Sequence, residues 1–228
     1  MMDRIVWRIF GWLWRFFLVT VILTVIQVAL LRFVNPPFTA TSAWRWFRDG
    51  SSGQSERLSE TWCPLDVISP YVRRAVLAGE DQRFLAHHGF DFIELNHAFQ
   101  QLFRSGSLRG ASTISMQTAR TVFLWRGRGW LRKAIEAYYT LLIESFWRKE
   151  RIFEIYLNTV DWGDDIMGIE AASRRYFRRS CAGITRNQAS LLAAILPNPH
   201  RWSPVRPTAR VLLNSKRILK DMAKMPLL

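Results

Sequence analysis

Apolar residues recur at three- and four-residue spacing through most of the chain beyond residue 63. Ser69-Pro70 reads as a cap followed by a first-turn proline, with Val72, Ala75, Val76 and Gly79 along one side of the helix it opens. Ser112 is placed to cap a second helix running through Leu124. Residues 130 to 147 carry Ile135, Tyr138, Leu142, Ile143 and Phe146 on one face, and 149 to 158 continues with Ile152, Ile155 and Tyr156. Thr185-x-x-Gln188 has the form of a capping box, opening a helix that Pro197 must end. No segment alternates convincingly with period two. The pattern predicts a mainly α domain over 63–228.

One stretch follows a different rule. FFLVTVILTVIQVALL, between Arg15 and Arg32, has only Thr20, Thr24 and Gln27 as polar members. With Trp12–Trp14 before it and Phe33-Val34 after, it approaches the roughly 20 residues that a tilted membrane-crossing helix needs. Arg15 and Arg32 can snorkel to the two interfaces, where Trp7, Trp12 and Trp14 also fit. The expected organisation is a short cytoplasmic tail (1–15), a transmembrane anchor (16–34), a juxtamembrane segment (35–62) and the α domain. A cleaved signal peptide is the alternative, but no small-residue site follows Leu31 and Arg32-Phe33-Val34 is bulky. Arg4, Arg8 and Arg15 before the span balance Arg32, Arg45 and Arg48 after it, so basic residues alone do not orient it. Asn35-Pro36-Pro37 breaks the helix. WRWFR (44–48) reads as an interfacial segment or an ordinary linker, and 49–53 as a loop.

Composition narrows the partner. The 228 residues carry 32 Lys+Arg against 18 Asp+Glu, a formal charge of +14. With 49% apolar and 14% aromatic residues the chain can build a core, which excludes intrinsic disorder. Cys63 and Cys181 are too few for a disulfide-built miniprotein, and a single long apolar stretch excludes a multi-span transporter. A basic domain beside a membrane implies an anionic partner.

Three polar clusters carry candidate chemistry. Glu80-Asp81-Gln82-Arg83-Phe84-Leu85-Ala86-His87-His88-Gly89 closes the first helix. A Glu-Asp pair there can be a solvated helix end, or a carboxylate in a cleft, raised in pKa and fit for acid–base work. His87 lacks a second His at ligand spacing apart from adjacent His88, which argues against a His-built metal site. In the second cluster, Gly110 to Arg120, Thr113, Gln117 and Arg120 share a helix face; this is an anion site or simply a well-capped helix. In the third, Arg132 and Lys133 precede Glu136 by four and three positions, as in a surface ion-pair cluster. Two separated carboxylates plus Arg and Lys also equip a site for glycosyl chemistry with a pyrophosphate leaving group.

GEDQRFLAHHGFD, RGASTISMQTAR, RKAIE, ERIFEIYLN, GIEAASRRYF and LPNP, in that order, resemble the motifs of glycosyltransferase family 51. The spacing and the Trp-Arg stretch before RKAIE are most similar to the monofunctional biosynthetic peptidoglycan transglycosylases, which are related to the transglycosylase domain of class A penicillin-binding proteins. The resemblance runs from about Pro64 to Pro207. It implies a lysozyme-like helical glycosyltransferase domain with an N-terminal transmembrane helix, in the bacterial inner membrane, single-pass and facing the periplasm. It implies polymerisation of lipid II into β-1,4 glycan strands in cell-wall synthesis, with inversion and release of undecaprenyl pyrophosphate. Glu80 would then be the catalytic base for the acceptor 4-hydroxyl, with Asp81, Phe84 and His87 on the other marked positions of its motif. Ser112, Thr113, Gln117 and Arg120 would line the donor site. Arg132, Lys133 and Glu136 would attend the sugar-pyrophosphate, Glu136 as the second catalytic carboxylate. No cofactor is required by the sequence, though a divalent ion, Mg²⁺ or Mn²⁺, is the one to expect near Glu136. Expected partners are lipid II, the growing lipid-linked glycan, the membrane and proteins of wall synthesis or division, and not nucleic acid.

The chain departs from the family pattern at Met116, Arg120, Asp161 and Trp162, where Gln, Lys, Glu and Phe are usual. Arg120 keeps the charge, and Met116 is expected to pack into the core. The absence of Ser-x-x-Lys argues against a fused transpeptidase. The run 121–131 is apolar, aromatic and basic together, suiting a loop dipped into headgroups or one folded onto the core. A membrane-anchored lysozyme-like muralytic hydrolase is the alternative activity.

Overall fold

The computed structural model describes residues 2–40, 42–43, 61–105, 112–125, 127, 129–164 and 166–228. The WRWFR stretch and the loop after it lie outside them. Helix α1 is Met2–Leu31, so residues 2–15 are helical and continuous with the apolar span. Its Val6–Leu31 portion is long and apolar enough to cross a bilayer. Within it the Thr20 hydroxyl donates to the Phe16 carbonyl (2.9 Å) and the Thr24 hydroxyl to that of Val21 (2.8 Å), which lets both sit in an apolar span.

The domain is helical as the pattern predicts. Its helices are α2 Pro70–Glu80, α3 Phe92–Ser105, α4 Ile114–Phe123, α5 Trp130–Phe146, α6 Lys149–Thr159, α7 Ile169–Phe177, α8 Arg186–Ile195 and α9 Ala209–Asp221. One antiparallel hairpin, β1 Asp161–Gly163 with β2 Ile166–Met167, interrupts them. At two and three residues its strands are too short to leave a period-two signature. Helix α8 packs on α2 and α9, and α4 packs on α5 and α6. Phe84, Ile114, Leu157, Phe153, Trp162 and Ile195 are among the fully enclosed side chains where these groups meet.

Local chemistry sets the ends. The Thr185–Gln188 box forms with both of its hydrogen bonds. Helix α4 is capped by Thr113, whose hydroxyl accepts from the Met116 amide (3.2 Å), and not by Ser112. Gly168 precedes α7 at φ +83°, and a Cβ there would stand 2.6 Å from the Asn158 carbonyl oxygen. Only glycine lets the chain pass so close to the end of α6. Beside that crossing the structure holds a Cys63–Cys181 disulfide. The Cys63 amide donates to Asn158 Oδ1 (2.8 Å), and the Cys181 amide donates to Glu170 Oε2 (2.6 Å).

Candidate active site

Helix α2 ends at Glu80 because Asp81 turns its backbone out of the helix while its amide still bonds to the Leu77 carbonyl (3.0 Å). The turn that follows is fixed from below. Asp81 faces His87 Nε2 at 3.0 and 3.1 Å and accepts the Ile114 amide at 3.0 Å, so a carboxylate already occupies the N-terminus of α4. Thr113 Oγ1 donates to the Gly89 carbonyl at 2.6 Å. Phe84 packs against Phe153, with Lys149 Nζ 4.4 Å from its ring centre.

This underpinning presents Glu80 at the surface of a closely packed region, partly exposed. Gln117 Nε2 donates to Glu80 Oε2 at 2.9 Å, while Gln117 Oε1 accepts from the Tyr156 hydroxyl at 3.3 Å. Burial pushes the Glu80 carboxyl above the usual range, and the Asp81 charge adds to this. The Gln117 hydrogen bond and the charges of Arg120 and Arg217 oppose it. Tyr156 is pushed well up by burial and then by Glu80, so it remains a phenol. A carboxylate with raised affinity for a proton, oriented by a bonded amide, is equipped to act as a general base.

The second group rises from the first turns of α5. Glu136 is fully buried, and its two oxygens accept from Arg132 Nη1 (3.0 Å) and Lys133 Nζ (2.5 Å). Lys133 is about half exposed and Arg132 only slightly, and two cations on one carboxylate leave a positive face. Because Arg132 and Lys133 hold both Glu136 oxygens, these residues do not fit a divalent cation bound through Glu136. Ligand atoms of Asp81, His87 and Asp91 lie within 4.8 Å of one another. Asp81 is engaged as above and Asp91 by Arg83 Nε (2.9 Å) and the Ile93 and Glu94 amides (3.0 and 3.1 Å), while the buried His87 Nδ1 has no hydrogen-bond partner among the described residues.

Helix α4 backs both groups. It contacts Glu80 and α6 through Gln117, and α5 through Phe123, whose ring stacks on Tyr139 at 4.3 Å. Among the described residues no hydrogen bond or ion pair joins the Glu80 group directly to the Glu136 group.

The sequence that builds this arrangement has counterparts among known proteins. Residues 49–223 match the family model described as Transglycosylase. The chain belongs to the transglycosylase family. It is 47% identical over 204 residues to a biosynthetic peptidoglycan transglycosylase of Pseudomonas fluorescens (strain SBW25), covering 90% of this chain and 85% of the relative. It is 49% identical over 192 residues to one of Rhodospirillum centenum (84% and 81% covered), and 44% identical over 214 residues to one of Pseudomonas aeruginosa PAO1 (94% and 92% covered).

Within this transglycosylase domain the expected site residues separate into two ranks. Glu80, Ser112, Gln117, Arg120, Arg132 and Lys133 keep exposed or partly exposed side chains. Asp81, Phe84, His87 and Thr113 are buried, with Asp81 bonded to His87 and Thr113 to the Gly89 carbonyl, which places them behind Glu80. Glu136 is likewise enclosed, with its oxygens bonded to Arg132 and Lys133. Met116 packs into the interior as expected. The 121–131 run divides: Val122 and Leu124 are buried and Phe123 is stacked, whereas Trp125, Trp130 and Leu131 are exposed. Sequence reasoning missed Tyr156 and Arg217 as neighbours of Glu80. Tyr156 sits at a core-facing position of α6, and nothing in the pattern distinguishes its hydroxyl.

Proposed function

We propose that this chain polymerises lipid II into β-1,4 glycan strands by a single inverting displacement. The observation that carries the reading is Glu80, raised in basicity and held by Gln117 of α4, the helix that also packs on α5, which carries Arg132, Lys133 and Glu136. Glu80 takes the proton of the acceptor 4-hydroxyl as that oxygen attacks the donor's anomeric carbon. The bond to undecaprenyl pyrophosphate breaks, and Arg120, Arg132 and Lys133 stabilise the charge that leaves with it. The chain lies in the bacterial inner membrane as a single-pass protein with its domain in the periplasm. The Cys63–Cys181 disulfide supports that side, because such bonds persist in oxidising compartments. Helix α3 carries Phe92, Leu95, Phe99 and Phe103 exposed along one stripe, which with Trp125 and Trp130 suits contact with lipid. The test is incubation of the purified chain with labelled lipid II, followed by gel separation of polymer. Polymer from the native chain and none from folded Glu80→Gln is expected. Full activity in that variant, or release of soluble muropeptides from preformed wall without consumption of lipid II, would overturn the reading.

A further inference from the structure

We infer that Arg151 is the joint that fixes the bilayer anchor to the catalytic domain, and that it thereby sets the height and tilt of the Glu80 site over the membrane. As a positioning residue it rests on the polymerisation reading above. The last carbonyls of any helix lack partners within it. At the end of α1 the Leu30 carbonyl is met by the Phe33 and Val34 amides (3.0 and 3.1 Å), and Arg151 meets the next ones. Its Nε and Nη2 donate to the Leu31 carbonyl at 3.2 and 3.0 Å, and Nη2 also donates to the Val34 carbonyl at 2.8 Å. Nη1 donates to Asn35 Oδ1 at 2.9 Å and to Glu154 Oε1 at 2.8 Å. All three guanidinium nitrogens are thus engaged, and the positive charge lies at the negative end of the helix dipole.

Two contacts, one from α5 and one from the residue that follows it, extend the joint along the anchor. Trp147 Nε1 donates to the Val28 carbonyl at 2.7 Å, and the Tyr138 hydroxyl lies 2.7 Å from Thr24 Oγ1. Glu154, the partner of Arg151, also receives Trp62 Nε1 and the Leu65 amide, both at 3.3 Å. One ion pair therefore holds the chain as it leaves the anchor and again as it returns to the domain. The helices that carry these contacts are those of the site. Arg132, Lys133 and Glu136 stand on α5, and Tyr156 stands on α6 five residues beyond Arg151. A site that works on a headgroup whose tail stays in the bilayer must be held at the level of that headgroup, and small misplacements of reacting groups are expensive. The joint borders a cavity of about 510 Å³ lined by Arg32, Phe33, Arg73 and Arg148.

The experiment uses the full chain in phospholipid vesicles containing lipid II, beside the same substrate in detergent micelles. Arg151→Ala is expected to raise KM in vesicles about tenfold with kcat within about twofold, and to change neither by more than about twofold in micelles, where the domain can reorient. Arg151→Lys keeps the charge but not the fork, and is expected to recover part of the loss. Spin labels on Phe16→Cys and Leu213→Cys, both exposed positions, report the joint without reference to activity; the native cysteines are bonded to each other. The distance distribution is expected to be narrow in the native background and broad with Arg151→Ala. An unchanged distribution, or a broadened one with unchanged vesicle KM, would overturn the inference. If the native chain makes no polymer, the functional reading fails and the label distances alone decide whether the joint exists.

Discussion

Gln117→Met tests how Glu80 is tuned. The replacement keeps the length and volume of the side chain but deletes the N–H that reaches Glu80 Oε2 at 2.9 Å and the oxygen that receives the Tyr156 hydroxyl. That N–H stabilises the ionised carboxylate and opposes the burial that raises its pKa. A hydrogen bond to a charged, partly exposed group contributes about 1–2 kcal/mol. On the acid side, the fraction of Glu80 able to act as base should therefore fall about 5- to 30-fold, since 1.4 kcal/mol is a factor of about ten. The assay is the initial rate of polymer formation at low lipid II from pH 5 to pH 9, giving kcat/KM for the free enzyme. The acid limb of the profile should move to higher pH, and the alkaline plateau should return to within about threefold of the native chain. A loss of equal size at every pH would make Gln117 a substrate contact and refute this account of Glu80.

Two further outcomes follow from the same structure. Because the folded chain holds the Glu80 proton more tightly than the unfolded chain, its contribution to stability is present below the unfolded value of about 4.3 and is lost as pH rises through the higher folded value. Glu80→Gln should accordingly melt above the native protein at pH 7.5 and together with it near pH 4; a lower melting temperature at pH 7.5 would contradict the burial of that carboxylate. Cys63→Ser should abolish the mobility difference between reduced and non-reduced gels and lower the melting temperature by about 5–15 °C, on a loss of about 2–5 kcal/mol.

Much of this arrangement was legible in the residues because helix periodicity and capping are local. The Thr185–Gln188 box, the Pro70 start and the two long helices after residue 130 follow from spacings of three and four. Ser112 and Thr113 are both favoured cap residues, and the cap falls on Thr113 because the Gly89 carbonyl draws its hydroxyl. The motif identified Glu80 but not which neighbours face outward. Asp81 and His87 look as reactive as Glu80 in a one-dimensional string, and only the distant Ile114 amide reveals that Asp81 is spent on the N-terminus of α4. Tyr156 and Arg217 were missed for the same reason: their relation to Glu80 depends on contacts across 76 and 137 positions. The Arg151 joint was equally hidden, since its acceptors are backbone carbonyls, which every residue possesses.

The Cys63–Cys181 bridge has a mechanical consequence. A pull transmitted along the polypeptide from the anchor toward residues beyond 181 reaches Cys63 and crosses directly to Cys181 through the sulfur atoms. The covalent ring closed by that link contains Glu80, Gln117, Arg120, Arg132, Lys133 and Glu136. Tension along the main chain bypasses them all, so the reacting groups can keep their spacing while the protein is tugged between a fluid bilayer and a stiffening polymer.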